Sequence, residues 1–204
     1  MLKTRWSRVV AKLLVWTLCL APFLRLAWRI WHQDVTPNPV EFITHFTGDW
    51  TIRLLVATLA ITPLRKLLHA PELIRFRRLI GLFAFFYACL HFATYVWFDH
   101  DFNVPEMLQD VAKRPYVTAG FTAFVLMIPL ALTSTAGWIR RLGGKRWQRL
   151  HRLIYVSAIA AVIHYYWLVK SDIRLPALYG ALVAFELGYR LVVSKPWKSA
   201  TLGR

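Results

Sequence analysis

The sequence predicts an all-α integral membrane protein of six transmembrane helices with both termini in the cytoplasm, and three observations predict it. Hydrophobic residues make up 57% of the 204 positions and mean hydropathy is positive, beyond the range of a soluble domain. The apolar residues fall into six runs, each long enough to cross a hydrocarbon core about 30 Å thick. The formal charge of +16 lies in short basic clusters between those runs, so it reports topology and not nucleic acid binding.

The first run, about residues 10–30, follows Lys3, Arg5, Arg8 and Lys12 and contains LLVWTLCLAPFL. That order resembles a signal peptide. No small-x-small site follows, and Cys19 lacks the small residue before it that a lipoprotein signal carries, so an uncleaved helix is expected. Residues 31–49 read as an outer connection, and the second run covers about 50–68. The third, about 79–98, is followed by a second outer connection over 99–115. The fourth covers about 116–136 and the fifth about 150–169, which overlaps RWQRLHRLIYVSAIAAVIHYYW from Arg146 to Trp167. The sixth covers about 175–193, and a short tail closes the chain.

Orientation follows from the basic residues. The N-terminus, the connections around Arg65–Arg78 and Arg140–Arg152, and the tail hold 19 of the 26 lysines and arginines. The alternate side holds Arg25, Arg29, Arg53, Lys113, Arg114, Lys170 and Arg174, with most of the acids. By the positive-inside rule both termini are cytoplasmic, as an even helix count requires. Cys19 and Cys89 sit in apolar runs without metal or disulfide spacing, and are expected as buried free thiols. Neither cytoplasmic connection contains a G-x-G-x-x-G turn after a strand, so no Rossmann unit is encoded. No linker, repeat or low-complexity stretch marks off a second domain.

Of the seven histidines, His32, His45, His69 and His100 fall in connections or at helix ends, where a solvated or interfacial side chain is expected. His91 and His164 lie well inside their runs, where an imidazole is costly unless it faces a partner, a cavity or a cofactor. A heme iron in the hydrocarbon region needs neutral nitrogen ligands and an apolar slot, and two imidazoles from facing helices supply the ligands. The third run starts near Arg78 and the fifth near His151, so thirteen residues on His91 and His164 reach matching depths toward the outer leaflet. Ser157, Ala160 and Ala161 before His164, and Ala84 and Ala88 before His91, leave room for a macrocycle or for ordinary close helix packing. Thr94 and Ser157 are candidates for hydrogen bonding around the ligands.

His151 belongs at the cytoplasmic end. Along an ideal helix thirteen residues turn through about 1300°, so His151 and His164 do not share one face. At the matching height the third run offers Arg77 and Arg78. Arginine does not replace imidazole on iron, but its fork suits a heme propionate or a flavin phosphate; topology alone also places arginines there. Glu186, with Arg190 four residues later, reads as a helical ion pair or as a proton acceptor beside a quinone.

Two stretches, RRLIGLFAFFYACLHFATYVWF from Arg77 to Phe98 and LALTSTAGWIRRLGGKRWQRLHRLIYVSAIAAVIHYYWLVK from Leu130 to Lys170, resemble the ferric reductase-like transmembrane fold shared with NADPH oxidase membrane domains. More narrowly, together with NPVEFITHFTGDW (Asn38 to Trp50) and TPLRKL (Thr62 to Leu67), they resemble the MsrQ family. Its members are heme-binding membrane subunits of periplasmic protein-methionine-sulfoxide reductase systems. The resemblance covers nearly the whole chain and implies one domain over residues 1–204.

It further implies a b-type heme protein of the bacterial inner membrane that takes electrons from the quinone pool or a cytoplasmic flavin reductase. They would pass to a periplasmic molybdopterin enzyme that repairs oxidised proteins by reducing methionine sulfoxide. FMN is implied as a second cofactor, and the iron ligands carry over onto His91, His151 and His164. The wider fold has a second histidine on the third helix, where this chain has Arg77 and Arg78. The flavin and nicotinamide domain of the complete oxidases is lacking, which implies an electron-transfer subunit and not a self-sufficient reductase.

Two other classes compete. A proton-coupled transporter using intramembrane His and Glu predicts broken helices in repeated halves, yet Pro22, Pro63 and Pro129 are not so paired. A membrane zinc hydrolase predicts an H-E-x-x-H pattern, which the sequence does not contain.

Overall fold

A computed structural model describes residues 5–169 and 171–193. Lys3, Lys170, Lys195, Lys198 and Arg204, which enter the orientation argument, lie outside the described residues. Helices and turns account for the described chain, with no strand among the described residues. Six helices are long: α1 (Arg5–Trp31), α2 (Pro39–Leu67), α3 (Ile74–Thr94), α5 (Pro115–Leu132), α8 (Leu153–Leu168) and α9 (Arg174–Val193). Three are short: α4 (Val104–Lys113), α6 (Ala136–Leu142) and α7 (Gly144–Leu150). Four helical stretches, Trp6–Trp31, Pro71–Asp99, Pro115–Leu132 and Arg174–Val192, are long and apolar enough to cross a membrane.

The other two long helices fall short for separate reasons. α2 carries Asp49 and Arg53, which pair at 3.0 Å with the guanidinium over the Trp50 ring. α8, at sixteen residues, spans only about 24 Å at 1.5 Å per residue.

Three boundaries differ from expectation. Residues 39–49 are helix, because Asn38 caps α2: its side chain accepts from Glu41 N at 3.2 Å and donates to the Glu41 carboxylate at 3.0 Å, with Pro39 in the first turn. Asn103 caps α4 in the same way, so the second outer connection is also partly helical. The stretch from Arg146 to Trp167 is not one helix. It breaks at His151–Arg152, where the bonds run three residues back, Arg152 N to Arg149 O and Tyr155 N to Arg152 O. The rotation argument for His151 and His164 therefore applies to no continuous helix. Between α6 and α7, Gly143 takes φ 73° and ψ 148°, a conformation open essentially to glycine.

The core lies between α2 and α3, where Leu55, Leu59, Ala84 and Tyr87 are fully buried. Tyr87 also fastens α1. Its hydroxyl accepts from Phe23 N and donates to Cys19 O, both at 2.9 Å, so it stands between two groups of the α1 ladder beside Pro22. Pro63 removes the donor that would serve Leu59 O inside α2. The Arg190 guanidinium, reaching from α9, donates to that carbonyl. Of the two free thiols Cys19 is buried and Cys89 half-buried.

α2 packs along α3 and α5 along α8, while α3 meets α5 and α2 meets α8. Exchanging α2 with α5 and α3 with α8 maps this packing onto itself. That approximate two-fold relation frames the site.

Candidate functional site

The two helix pairs flank a cavity of about 640 Å³, within the range of a cofactor pocket. Each pair supplies one histidine to it. His91 of α3 crosses to α2, where its Nδ1 lies 3.0 Å from the Thr44 carbonyl. His164 of α8 crosses to α5, where its Nδ1 lies 2.7 Å from the Tyr116 carbonyl. A carbonyl only accepts, so Nδ1 must carry the proton and Nε2 the free lone pair. That is the tautomer of a metal-ligating imidazole oriented by a backbone acceptor.

The two rings face one another across the cavity, 6.1 Å between centroids with planes at 71°. A metal–imidazole nitrogen bond is about 2.0–2.1 Å at zinc, and a metal held between two rings separates their centres by twice that bond plus the depth of each ring. The observed separation fits one metal between them. Phe92, Phe121, Phe124 and Met127 line the walls, which suits an apolar macrocycle. Ala88 and Ala161 also face the cavity, as a slot requires. Ala84 is buried in the core, and Ser157 is fully buried with its hydroxyl donating to Ala123 O at 2.9 Å. Both serve helix packing. Thr94 likewise bonds the backbone carbonyl of His91, at 2.7 Å, and not its ring.

Sequence reasoning missed Gly48 and Gly120. A Cβ on Gly48 would stand 3.1 Å from His91 Cε1, and one on Gly120 would stand 2.7 Å from His164 Nδ1. Each glycine lies four residues after the residue whose carbonyl holds the ring, and so on the same helix face. In the sequence only the small side chain four residues on from Thr44 or Tyr116 hints at this.

His100 also departs from expectation. It is 7% exposed, as is Asp110, and both line the cavity near α4. Asp110 accepts from the Tyr95 hydroxyl at 3.1 Å and pairs with Arg114 at 2.7 Å and His100 at 3.4 Å. His100 Nδ1 is buried without a hydrogen-bond partner. Asp110 is the buried residue of α4, and it is the residue that His100 faces. His45 is exposed but reaches the cavity lining, while His32 stacks on Trp28 and His69 is exposed.

His151 stands apart from this pair. It is half-buried, stacked on Trp147 at 3.9 Å, with Nδ1 3.1 Å from Trp147 O and Nε2 buried, the Leu130 backbone lying beside the ring. Arg77 is half-buried and Arg78 exposed. The expected ion pair of Glu186 with Arg190 does not form. Arg190 donates to the backbone carbonyl of Glu186 and lies over the Tyr155 ring, leaving Glu186 Oε2 buried and unpartnered. The bond that Pro63 frees at Leu59 draws the guanidinium away from the carboxylate.

A family model described as ferric reductase like transmembrane component matches residues 47–162. Among curated proteins, the protein-methionine-sulfoxide reductase heme-binding subunit MsrQ of Herminiimonas arsenicoxydans is 56% identical over 182 residues, 88% of this chain and 84% of that protein. The subunit of the same name from Xanthomonas campestris pv. campestris strain 8004 is 47% identical over 210 residues, 100% of this chain and 94% of its own. That of Xanthomonas axonopodis pv. citri strain 306 is 48% identical over 197 residues, covering 94% and 90%. No solved structure matches the chain.

Proposed function

The chain belongs to the ferric reductase-like transmembrane family and within it to the MsrQ subunits, and from that premise we propose that it carries electrons across the bacterial inner membrane through heme b. One observation carries this reading: His91 and His164 face each other across the cavity as matching tautomers, each fixed by a backbone carbonyl. The heme, when bound, supplies a one-electron Fe(III)/Fe(II) couple. The chain's own part is to hold the two imidazoles, line the slot with apolar side chains, and thereby set potential through ligand identity and burial.

In this reading all six long helices cross the membrane with cytoplasmic termini. The Asp49–Arg53 pair offsets the charge of α2. The histidine pair then lies toward the periplasm, where a molybdopterin catalytic subunit reducing protein methionine sulfoxide receives the electrons. Donors are the quinone pool or a cytoplasmic flavin reductase. His151, with its buried Nε2, ligates or supports a second redox group at the cytoplasmic end, and Arg77 and Arg78 suit a heme propionate or the phosphate of FMN.

A redox titration of the purified chain with heme and flavin quantification tests this. A Soret band that shifts on dithionite reduction is expected, with at least one heme per chain. Iron-free protein retaining a folded helical spectrum contradicts it.

A further inference from the structure

The two halves of the site repeat one device. On α2 the Thr44 carbonyl and Gly48 receive His91; on α5 the Tyr116 carbonyl and Gly120 receive His164. The glycine-to-histidine separations along the chain are 43 and 44 residues, although the links between the helices differ entirely. We propose that Gly48 and Gly120 are positioning residues for the two ligand histidines: each lets a ring lie directly on the neighbouring helix backbone, setting its approach to the metal and its bond to the carbonyl. The proposal rests on the heme reading above and deepens it.

The geometry shows why a methyl group is not tolerated equally at the two sites. At Gly120 an added Cβ meets three ring atoms of His164 at 2.7, 2.9 and 3.0 Å, closer than carbon and nitrogen pack without bonding. The ring cannot retreat toward α5, so it must move into the cavity toward His91, breaking or lengthening its bond to Tyr116 O. At Gly48 the nearest ring atoms of His91 lie at 3.1 and 3.2 Å, and a shift of a few tenths of an ångström relieves the contact. Other glycines of the long helices have no such neighbour. A Cβ at Gly180 meets Val162 at an ordinary 3.4 Å, and one at Gly188 meets nothing within 4 Å.

The backbone acceptors are part of the same device. Outer partners that orient a ligating imidazole are worth about 10- to 100-fold in metal affinity when lost. Displacing the ring from its carbonyl therefore weakens the ligand even while the imidazole is still present. The shorter bond and the closer glycine both belong to His164, so the α5–α8 half is the less forgiving one.

The test compares G48A, G120A and the control G188A as full-length protein in detergent, reading heme per folded chain, the low-spin electron paramagnetic resonance signal and the midpoint potential. G188A is expected to match the unsubstituted protein. G48A should keep its heme with a shifted low-spin signal and potential. G120A should lose most of its heme or turn it high-spin while helix content stays that of the control. Unchanged signal and potential in G48A, together with unchanged heme in G120A, would overturn the proposal. If G120A fails to fold, G48A alone decides by the same readings. Should the unsubstituted protein itself hold no heme, it is the heme reading that fails.

Discussion

At the residue scale, the site is two deep imidazoles, each held by a carbonyl of the neighbouring helix. His91 and His164 stand out because an imidazole deep in an apolar run needs a reason, and their depths match when counted from the basic ends. The acceptors at Thr44 and Tyr116 are backbone carbonyls, which leave no mark on residue type, and Gly48 and Gly120 look like any small residue of a membrane helix. The position of His100 in the chain predicts an interfacial side chain, whereas it is buried against Asp110 of α4. Tyr87 offers a prediction at this scale. Its hydroxyl serves both Cys19 O and Phe23 N, so Y87F takes a partner from one buried and one part-buried backbone group of α1. A loss of about 1–3 kcal/mol is expected, read as a lower unfolding temperature in detergent. An unchanged temperature would mean that water or local rearrangement replaces the hydroxyl.

At the element scale, the six apolar runs correspond to the six long helices, but their ends shift wherever a cap or a special backbone residue intervenes. Asn38 and Asn103 start helices inside stretches that hydropathy reads as connections, since capping is decided by one side chain and not by average polarity. The stretch from Arg146 to Trp167 breaks at His151–Arg152, at the start of the fifth run, and neither glycine nor proline there announces the break. Two predictions belong here. G143A places a Cβ on a backbone at φ 73° and should destabilise the α6–α7 corner by about 1–3 kcal/mol, seen as earlier thermal unfolding.

Pro63 and Arg190 form the second case. R190Q strips a donor from Leu59 O, whereas P63A restores the ladder donor to the same carbonyl. The double substitution should therefore cost less than the sum of the singles in a thermal-stability cycle. Strict additivity would show that the two do not share Leu59 O.

At the scale of the whole molecule, the membrane class follows from composition, and the topology proposed above rests on the distribution of 26 basic residues, neither of which needs a fold. The two-fold relation of the helix pairs could not be read in advance. It is carried by packing and by one glycine, one carbonyl and one histidine per half, too few positions to register as a sequence repeat. Topology has its own check: a periplasm-active reporter fused after α4 should be active and one fused after α9 inactive, and the reverse would turn the chain over.

The claim on which the rest depends is that one heme iron is shared by His91 and His164. Low-temperature electron paramagnetic resonance and reduced-minus-oxidised spectra of the purified chain, recorded beside its H91A, H164A and H151A variants, test it most directly. A low-spin bis-imidazole signal is expected in the unsubstituted protein and in H151A, and is expected to vanish in both H91A and H164A. Persistence of that signal in H164A, or its loss only in H151A, would contradict the account.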